Sequence, residues 1–448
     1  MRKIHDARCP RKNMLLLRLP RPVPNRSFSS FEKPMVFLGW ILIGTGILCN
    51  EWVLTKLLSS DGNVEIQNRV AVWLFDLVFI VLGIFCMKIG KRLASRDVLR
   101  RLSQGYPKTC ALSIGLVLTV LLGVCAEDIF YGLNYYRKEP TVQEEVKTII
   151  DPILGYRLPP HARLTETKAV GGKVIYHATA STDAFGRRLT PVDHVEQRHR
   201  FLLFFGCSMT FGLGVNDDET MPFYVGQYAT HYRPYNYGVS GYGPNHLLAQ
   251  LQHRDLTKEI QETEGIAVYT FIDHHIPRVI GTMWLYNLWE RHAPFYTLEA
   301  HDRLVHRGDF TSGRPLLSFL YWVLGKSQIL QYYNINFPVR IREEHVRLTA
   351  RIIAEARTAF QQQFPHAAFY VLLYPGVSRG PDLIPYLAQA GVKYLDYAHL
   401  IDWPHPEFTL ADGAHPTAQG HRVVAAQLAK DLGIVDGIES GGDWLALP

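Results

Sequence analysis

The stretch RFLLFFGCSMTFG, residues 200–212, decides the fold of the larger part of this 448-residue chain. It opens with an apolar run of strand length, and Gly206 and Gly212 then allow a tight turn. A strand without polar alternation is typical of a parallel sheet that is covered on both faces. Ser208 stands where the chain leaves this strand, and ligands bind at the carboxyl ends of such strands.

Short apolar strands and helices alternate beyond this stretch. The sequence predicts strands at 201–205, 266–271, 369–373 and 392–395, and helices near 222–229, 247–256, 347–364 and 417–432. This alternation indicates an α/β domain over residues 200–435, with helices on both faces of a parallel sheet. Residues 276–346 interrupt it with many aromatic residues, and we interpret them as an insertion or cap.

The first third of the chain contains three apolar stretches of 17 or 18 residues: Pro34–Asn50, Val70–Met87 and Thr109–Ala126. At about 1.5 Å per residue, a helix of that length nearly crosses a hydrocarbon core of roughly 30 Å. We therefore expect an all-α transmembrane region of three helices over residues 34–126. Asp76 is the one charge inside these stretches, and we interpret it as facing another helix or the interface.

The charges that flank these stretches predict their orientation. Residues 1–33 carry nine Lys/Arg and two acids, and residues 88–108 carry seven and one. Residues 51–69 carry two basic and three acidic residues, and Glu127 and Asp128 follow the third stretch. Basic segments stay in the cytoplasm, so residues 1–33 form a cytoplasmic tail. Residues 127–199, a juxtamembrane strand-rich lead-in, and the domain after it are then periplasmic or extracellular.

Composition excludes several classes of function. The formal net charge of +6 is concentrated in the N-terminal segments, so it does not indicate a nucleic-acid partner. Of the six cysteines, only Cys207 lies beyond residue 126, so the large domain has no internal disulfide. No Cys/His spacing indicates zinc, and no Gly-x-Gly-x-x-Gly follows the first strand. We expect no metal and no cofactor, and the sequence indicates no protein partner.

Three blocks carry residues that suit acyl transfer. A serine hydroxyl needs a neighbouring base, and the base needs an acceptor that orients it. Asp412 and His415 supply both from one turn before the last helix. Gly241, in the glycine-rich segment 236–243, allows its backbone N–H to approach a developing oxyanion. Taken singly, each block also fits a purely structural interpretation. Ser208 then caps a helix, and His415 belongs to a surface turn.

In combination and order, these blocks resemble the SGNH/GDSL hydrolase family. The matching blocks are Gly206-Cys207-Ser208-Met209-Thr210, Asn236 to Gly241, and Asp412-Gly413-Ala414-His415-Pro416. The resemblance covers roughly residues 200–435 and implies a flavodoxin-like three-layer α/β/α fold. It also implies Ser208 as nucleophile, His415 as base and Asp412 as its orienter. The backbone N–H groups of Ser208 and Gly241 would be oxyanion donors.

Two positions depart from the family pattern. Cys207 stands where the family has an Asp before the nucleophile. The Gly-x-Asn-Asp block expected after the third strand is replaced by residues 271–278, which contain no Asn. An ionised Asp273 cannot donate to an oxyanion, whereas His274 or His275 can. The sequence leaves the third donor unassigned, with His274 and His275 as its candidates, and we do not expect these adjacent histidines to bind a metal ion.

These inferences predict a membrane-integral serine esterase or deacylase that forms an acyl-serine intermediate. The expected substrates are acylated envelope or extracellular glycans or lipids. Two alternatives stay open. A polysaccharide O-acyltransferase would use the same triad, and a catalytically inactive envelope-binding module would retain only the fold. The missing Asn favours the inactive module, and the intact set of Ser208, Asp412 and His415 opposes it.

Overall fold

The computed structural model describes residues 29–48, 76–77, 79–88, 107–137, 141–144 and 147–435. They divide into two compact units, with a boundary between Val124 and Cys125. The first two helices with defined bounds are α1 (Ser29–Leu48) and α2 (Pro107–Arg137).

The predicted three-helix transmembrane region is not supported. Within the described ranges, no helix combines the length and the apolar character that crossing a membrane requires. Most of the predicted tail 1–33, much of the stretch Val70–Met87 and the basic segment 89–106 lie outside the described residues.

A parallel sheet of five strands forms the centre of the larger unit. In spatial order the strands are β12 (Lys393–Asp396), β11 (Ala368–Leu373), β8 (Gly265–Phe271), β6 (Arg200–Phe205) and β7 (Tyr232–Asn236). Numbered along the chain, these five strands have the order 5-4-3-1-2, which read from the other edge is the flavodoxin-like order 2-1-3-4-5. The predicted α/β fold with a flavodoxin-like parallel sheet is therefore confirmed.

Helices cover this sheet in two layers. The helices of the larger unit after α2 are α3 (Ser208–Phe211), α4 (Met221–Tyr228), α5 (Pro244–His253), α6 (His275–Ile280), α7 (Met283–Leu288), α8 (Phe310–Gly313), α9 (Pro315–Leu324), α10 (Gln328–Tyr332), α11 (Glu343–Gln363), α12 (Gly380–Gln389) and α13 (Ala418–Asp431). Helix α11 packs against α5, α6 and α12, whereas α4 packs against α13.

Strand β6 lies at the centre of the hydrophobic core. Its side chains from Phe201 to Phe205 are at most 1% exposed. Burial of an apolar side chain of this size contributes roughly 1.5–3 kcal/mol. This continuous burial explains why the sequence shows an apolar run here and no alternation.

The lead-in consists of two small antiparallel sheets. Strands β1 (Thr141–Glu144), β4 (Arg163–Val170) and β5 (Lys173–Ser181) form one sheet, and β2 (Ile149–Asp151) pairs with β3 (Gly155–Arg157). Along β4 and β5, alternate side chains are buried, so one face of the three-stranded sheet packs inward.

Residues between α6 and α11 form a compact insertion. It contains α7 to α10 and a two-stranded antiparallel sheet of β9 (Pro294–Leu298) and β10 (Leu304–Asp309). A separate small core, which includes Met283, Tyr286, Phe310 and Tyr321, holds it together.

Arg188 links the end of the lead-in to the loop that follows α3. Its side chain is buried, and Nη1 donates hydrogen bonds to the carbonyls of Phe211 (2.7 Å) and Gly212 (2.6 Å). Nη2 donates to the carbonyl of Val215 at 2.7 Å, and Nε donates to Asp217 Oδ1 at 3.0 Å. The planar guanidinium thus joins three carbonyls and one carboxylate of this loop through a single buried side chain.

We expect Arg188→Met to lower the free energy of unfolding by about 3–5 kcal/mol, because it removes four hydrogen bonds of a buried cation, including the donor to the Val215 carbonyl. Urea unfolding of the full chain, followed by tryptophan fluorescence, measures this loss. Arg200→Met is the control, since Arg200 is 55% exposed and pairs only at the surface. Its expected loss is below about 1 kcal/mol. Equal losses in the two variants would contradict the role of Arg188.

Candidate active site

Ser208 begins α3 directly after β6, next to the point between β6 and β8 where the strand order reverses. A crevice at this reversal is where ligands bind in doubly wound sheets. Gly206 makes the turn possible, since its φ is +152° and a Cβ there would collide with Thr210 Oγ1. The turn leaves Ser208 8% exposed, at the carboxyl edge of the sheet.

The glycine-rich segment after β7 packs against α3. A Cβ on Gly238 would collide with the backbone nitrogen of Phe211, so this position requires glycine. Asn236 ties the two segments together: Nδ2 donates to the carbonyl of Thr210 at 2.9 Å, and Oδ1 accepts from Gly238 N–H at 2.9 Å. The Asn of this block is therefore a support for α3.

The loop before α13 brings His415 and Asp412 to Ser208. His415 Nε2 lies 3.0 Å from Ser208 Oγ, and His415 Nδ1 lies 2.7 Å from Asp412 Oδ2. Asp412 Oδ1 accepts hydrogen bonds from the backbone N–H groups of Ala414 and His415, both at 3.0 Å. The three residues proposed as a catalytic set thus form one continuous hydrogen-bonded chain.

The protonation state of Asp412 sets the direction of this chain. Burial acts to raise the pKa of its carboxyl, but hydrogen bonds from the His415 ring and from the backbone outweigh it and lower the pKa to about 2. The folded carboxylate is therefore ionised above about pH 3. An ionised Asp412 accepts a proton donor, so His415 carries its hydrogen on Nδ1 and turns the lone pair of Nε2 towards Ser208.

Gly241 lies between the lead-in and the insertion. Its φ is +87°, and a Cβ there would collide with Tyr156 Oη and lie 2.9 Å from Trp289 Nε1. Tyr156 belongs to β3 and donates its hydroxyl to the carbonyl of Ser240 at 2.8 Å. Trp289 follows α7 and is 41% exposed. Tyr156 therefore holds the segment that carries Gly241, and Trp289 lies beside this glycine.

The block after β8 separates the two histidines. His275 has no exposed surface, and its Nδ1 shares a 2.7 Å hydrogen bond with the Tyr269 hydroxyl. A side chain in that position cannot contact a ligand. His274 is exposed at the end of the strand. Of the two candidate donors, the structure leaves His274 accessible and His275 in the interior.

Asp273 joins two loops of the sheet edge. Its Oδ2 accepts hydrogen bonds from Ser378 N–H (2.9 Å) and Ser378 Oγ (2.6 Å), and its Oδ1 accepts from Arg379 N–H at 3.0 Å. These contacts connect the loop after β8 to the loop after β11. Asp273 therefore stabilises the packing of these two loops.

Several residues near the site were not predicted from the sequence. They are Glu166 and Lys168 on β4, Arg188, Tyr156 and Trp289. All five lie outside the alternating core of the domain, in the lead-in or the insertion. The one sequence signal is the alternation of Glu166 and Lys168 along a strand, which places both on one face but does not say what that face covers.

Comparisons with known proteins give matches among solved structures only. No family model matches the chain, and no curated protein is significantly similar to it. The structure of LAE5, an α/β hydrolase enzyme from the metagenome of Lake Arreo in Spain, matches with 13% identity and a TM-score of 0.32. The match covers 54% of this chain and 98% of that one.

Two further matches are esterases. A carbohydrate esterase shows 12% identity and a TM-score of 0.33, and the match covers 67% of this chain and 99% of that one. A catalytic mutant of Axe2, an acetylxylan esterase from Geobacillus stearothermophilus, shows 13% identity and a TM-score of 0.28. This match covers 55% of this chain and 98% of Axe2. These similarities are low, so the fold is assigned from its strand order and the site from its own geometry.

Proposed function

We propose that this chain is a serine hydrolase of the SGNH/GDSL type, which cleaves ester bonds through an acyl-serine intermediate. The observation that carries the proposal is the hydrogen-bonded chain from Ser208 through His415 to Asp412, with distances of 3.0 and 2.7 Å. A hydroxyl, an imidazole and an ionised carboxylate in this sequence are the groups that nucleophilic acyl transfer requires.

The reaction has two halves. His415 Nε2 takes the proton of Ser208 Oγ as this oxygen attacks the acyl carbon, and the imidazolium returns the proton to the leaving alcohol. Water then attacks the acyl-serine with His415 again as base, which releases the acid and restores the serine. Asp412 stays ionised throughout and stabilises the imidazolium by charge and by the Nδ1 hydrogen bond.

The oxyanion of each tetrahedral intermediate needs fixed donors. We assign the backbone N–H groups of Ser208 and Gly241, with the accessible His274 as a third donor in place of the missing Asn. A neutral imidazole donates one hydrogen bond, so His274 can serve without carrying charge.

Acylated carbohydrate is the substrate class that the rim of the site favours. The half-exposed indole of Trp289 lies beside Gly241, next to the proposed oxyanion donors. A flat, partly exposed aromatic ring suits the apolar face of a sugar while the hydroxyl groups stay in water. We therefore propose that Trp289 binds the sugar of an O-acylated glycan.

We expect a fluorophosphonate probe to label the full chain covalently, and Ser208→Ala to abolish the labelling. The reason is that the probe reports a serine whose proton is removed by a neighbouring base. Ser240→Ala is the matched control, since Ser240 is also next to the site but outside the triad. The probe should still label Ser208 in this variant. Absence of labelling in the unmodified chain at every pH would favour the inactive binding module.

We expect Trp289→Ala to lower kcat/KM for an O-acetylated xylo-oligosaccharide by roughly 3–10-fold, because it removes the stacking surface. Hydrolysis of 4-nitrophenyl acetate, which has no sugar, should change less than twofold. Leu288→Ala is the control, since Leu288 is 63% exposed next to Trp289. An equal loss on both substrates in Trp289→Ala would show that the indole supports the site and does not bind sugar.

The location of the domain outside the cytoplasm is a further proposal, based on the charge of the flanking segments alone. In a variant whose six native cysteines are replaced by alanine, a cysteine introduced by Lys258→Cys, at a side chain that is 80% exposed, should react with a membrane-impermeant maleimide on intact spheroplasts. Lys12→Cys, in the basic tail, should react only after permeabilisation. The reverse pattern would place the domain in the cytoplasm.

A further inference from the structure

Strand β4 of the lead-in carries two charged side chains to the acid end of the triad. Glu166 and Lys168 are two positions apart, so they share one face of the strand. Lys168 Nζ lies 3.8 Å from Asp412 Oδ2. This is the same oxygen that pairs with His415 Nδ1 at 2.7 Å. An ammonium group and an imidazole therefore share one carboxylate oxygen.

The pairing of β4 with β5 is irregular next to Lys168. Lys168 pairs with Tyr176 across the sheet, but the next residue, Ala169, pairs with Val174, so β5 carries one extra residue at this point. Such a bulge bends the strand and redirects the side chains beside it. Lys168 thus lies directly beside an irregularity of the sheet.

Strand β5, which pairs with β4, packs against the loops of the site. Tyr176, opposite Lys168, is 6% exposed. A Cβ on Gly214 would meet both the Tyr176 ring, at 3.0 Å, and Leu410 Cδ1, at 2.6 Å. Leu410 belongs to the loop that carries Asp412, and its backbone N–H bonds to the carbonyl of His415 at 2.7 Å. The sheet, the loop after α3 and the triad loop are therefore in close contact.

The titratable and charged groups around His415 come from five parts of the chain. They are Asp412 on its own loop, Glu166 and Lys168 on β4, Arg188 with Asp217, and His421 on α13. Arg188 and Asp217 pair with each other at 3.0 Å. His421 has no exposed surface; burial, followed by the charges of Arg188 and His415, lowers its pKa to about 3, so it is neutral.

Glu166 is the remaining neighbour. It is 1% exposed, its Oε2 accepts a hydrogen bond from Gly214 N–H at 3.0 Å, and its Oε1 has no partner among the described residues. Burial raises the pKa of its carboxyl, against the opposing effects of the Gly214 N–H and of Arg188. Glu166 is therefore a buried neighbour of the triad, whereas the ammonium group of Lys168 contacts Asp412 directly.

We propose that Lys168 is a positioning residue of the active site: its ammonium group holds Asp412 in place and makes the protonated form of His415 less favourable. This rests on the proposed hydrolase function. The lead-in is then a part of the catalytic site, because it supplies the third partner of the Asp412 carboxylate. A positive charge at this distance from the Asp412 carboxylate repels a second positive charge on the adjoining imidazole.

The test compares the rate of fluorophosphonate labelling against pH for the full chain and three variants. In Lys168→Met the acid limb of the profile should move to higher pH by roughly 0.2–0.7 unit, the size expected for a partly exposed ion pair. Lys168→Arg, which retains the charge, should restore the original profile. Lys173→Met removes the same charge from an exposed position of the same sheet and should leave the profile unchanged.

A second readout does not depend on a reactive serine. Diethyl pyrocarbonate modifies neutral imidazole, so its rate at His415, measured against pH by peptide mass spectrometry, follows the protonation of that ring. The same upward shift in Lys168→Met supports the proposal. Coincident profiles for the unmodified chain and Lys168→Met overturn it, even when serine labelling is normal. Absent serine labelling instead contradicts the hydrolase function, while the imidazole titration still decides the role of Lys168.

If Lys168→Met does not fold, Lys168→Gln removes the same charge and retains a polar side chain. Its acid limb should also move to higher pH by roughly 0.2–0.7 unit. A profile that coincides with that of the unmodified chain contradicts an electrostatic role of Lys168.

Discussion

The hydrogen bond between His415 Nε2 and Ser208 Oγ is the contact on which the chemistry of the candidate active site depends. Its partners lie 207 positions apart, so it closes most of the domain into one loop, which costs conformational entropy. Neither residue can hold the other in place alone. Burial of the central strand β6 fixes the start of α3, and the ionised Asp412 with two backbone donors fixes the imidazole. The contact forms because both supports are assembled independently of it.

Segments outside the parallel sheet stabilise the loops that the sheet leaves open. Arg188 satisfies the carbonyls that follow α3, and Tyr156 holds the backbone at Ser240. Lys168 reaches the triad carboxylate, and Trp289 packs beside Gly241. Loops at the carboxyl edge of a parallel sheet have few backbone partners of their own. The lead-in and the insertion supply those partners, which makes them parts of the site and not spacers.

The block after the third strand gives its polar side chains different surroundings. Asp273 connects two loops through Ser378 and Arg379, and His275 is enclosed with Tyr269. His274 is the exposed histidine of this block. Because an oxyanion needs a donor and not a particular residue type, we propose this imidazole as the third donor. Cys207 differs in kind: it is fully buried behind the turn and leaves the three-residue chain complete.

The sequence by itself determined the buried strand β6, its tight turn, the α/β alternation and the Asp-x-x-His turn before α13. These features are local: apolar periodicity, glycine spacing and a three-residue separation each report on a few neighbouring residues. The strand order also agrees with the fold that the family resemblance implied. Apolar length alone predicted three membrane-spanning helices, which the described residues do not support. Only the tertiary structure decided which histidine faces outwards, what Asp273 binds, and that Lys168 reaches Asp412. Those contacts join segments far apart in the chain, and they depend on strand register and loop packing, which no local pattern encodes.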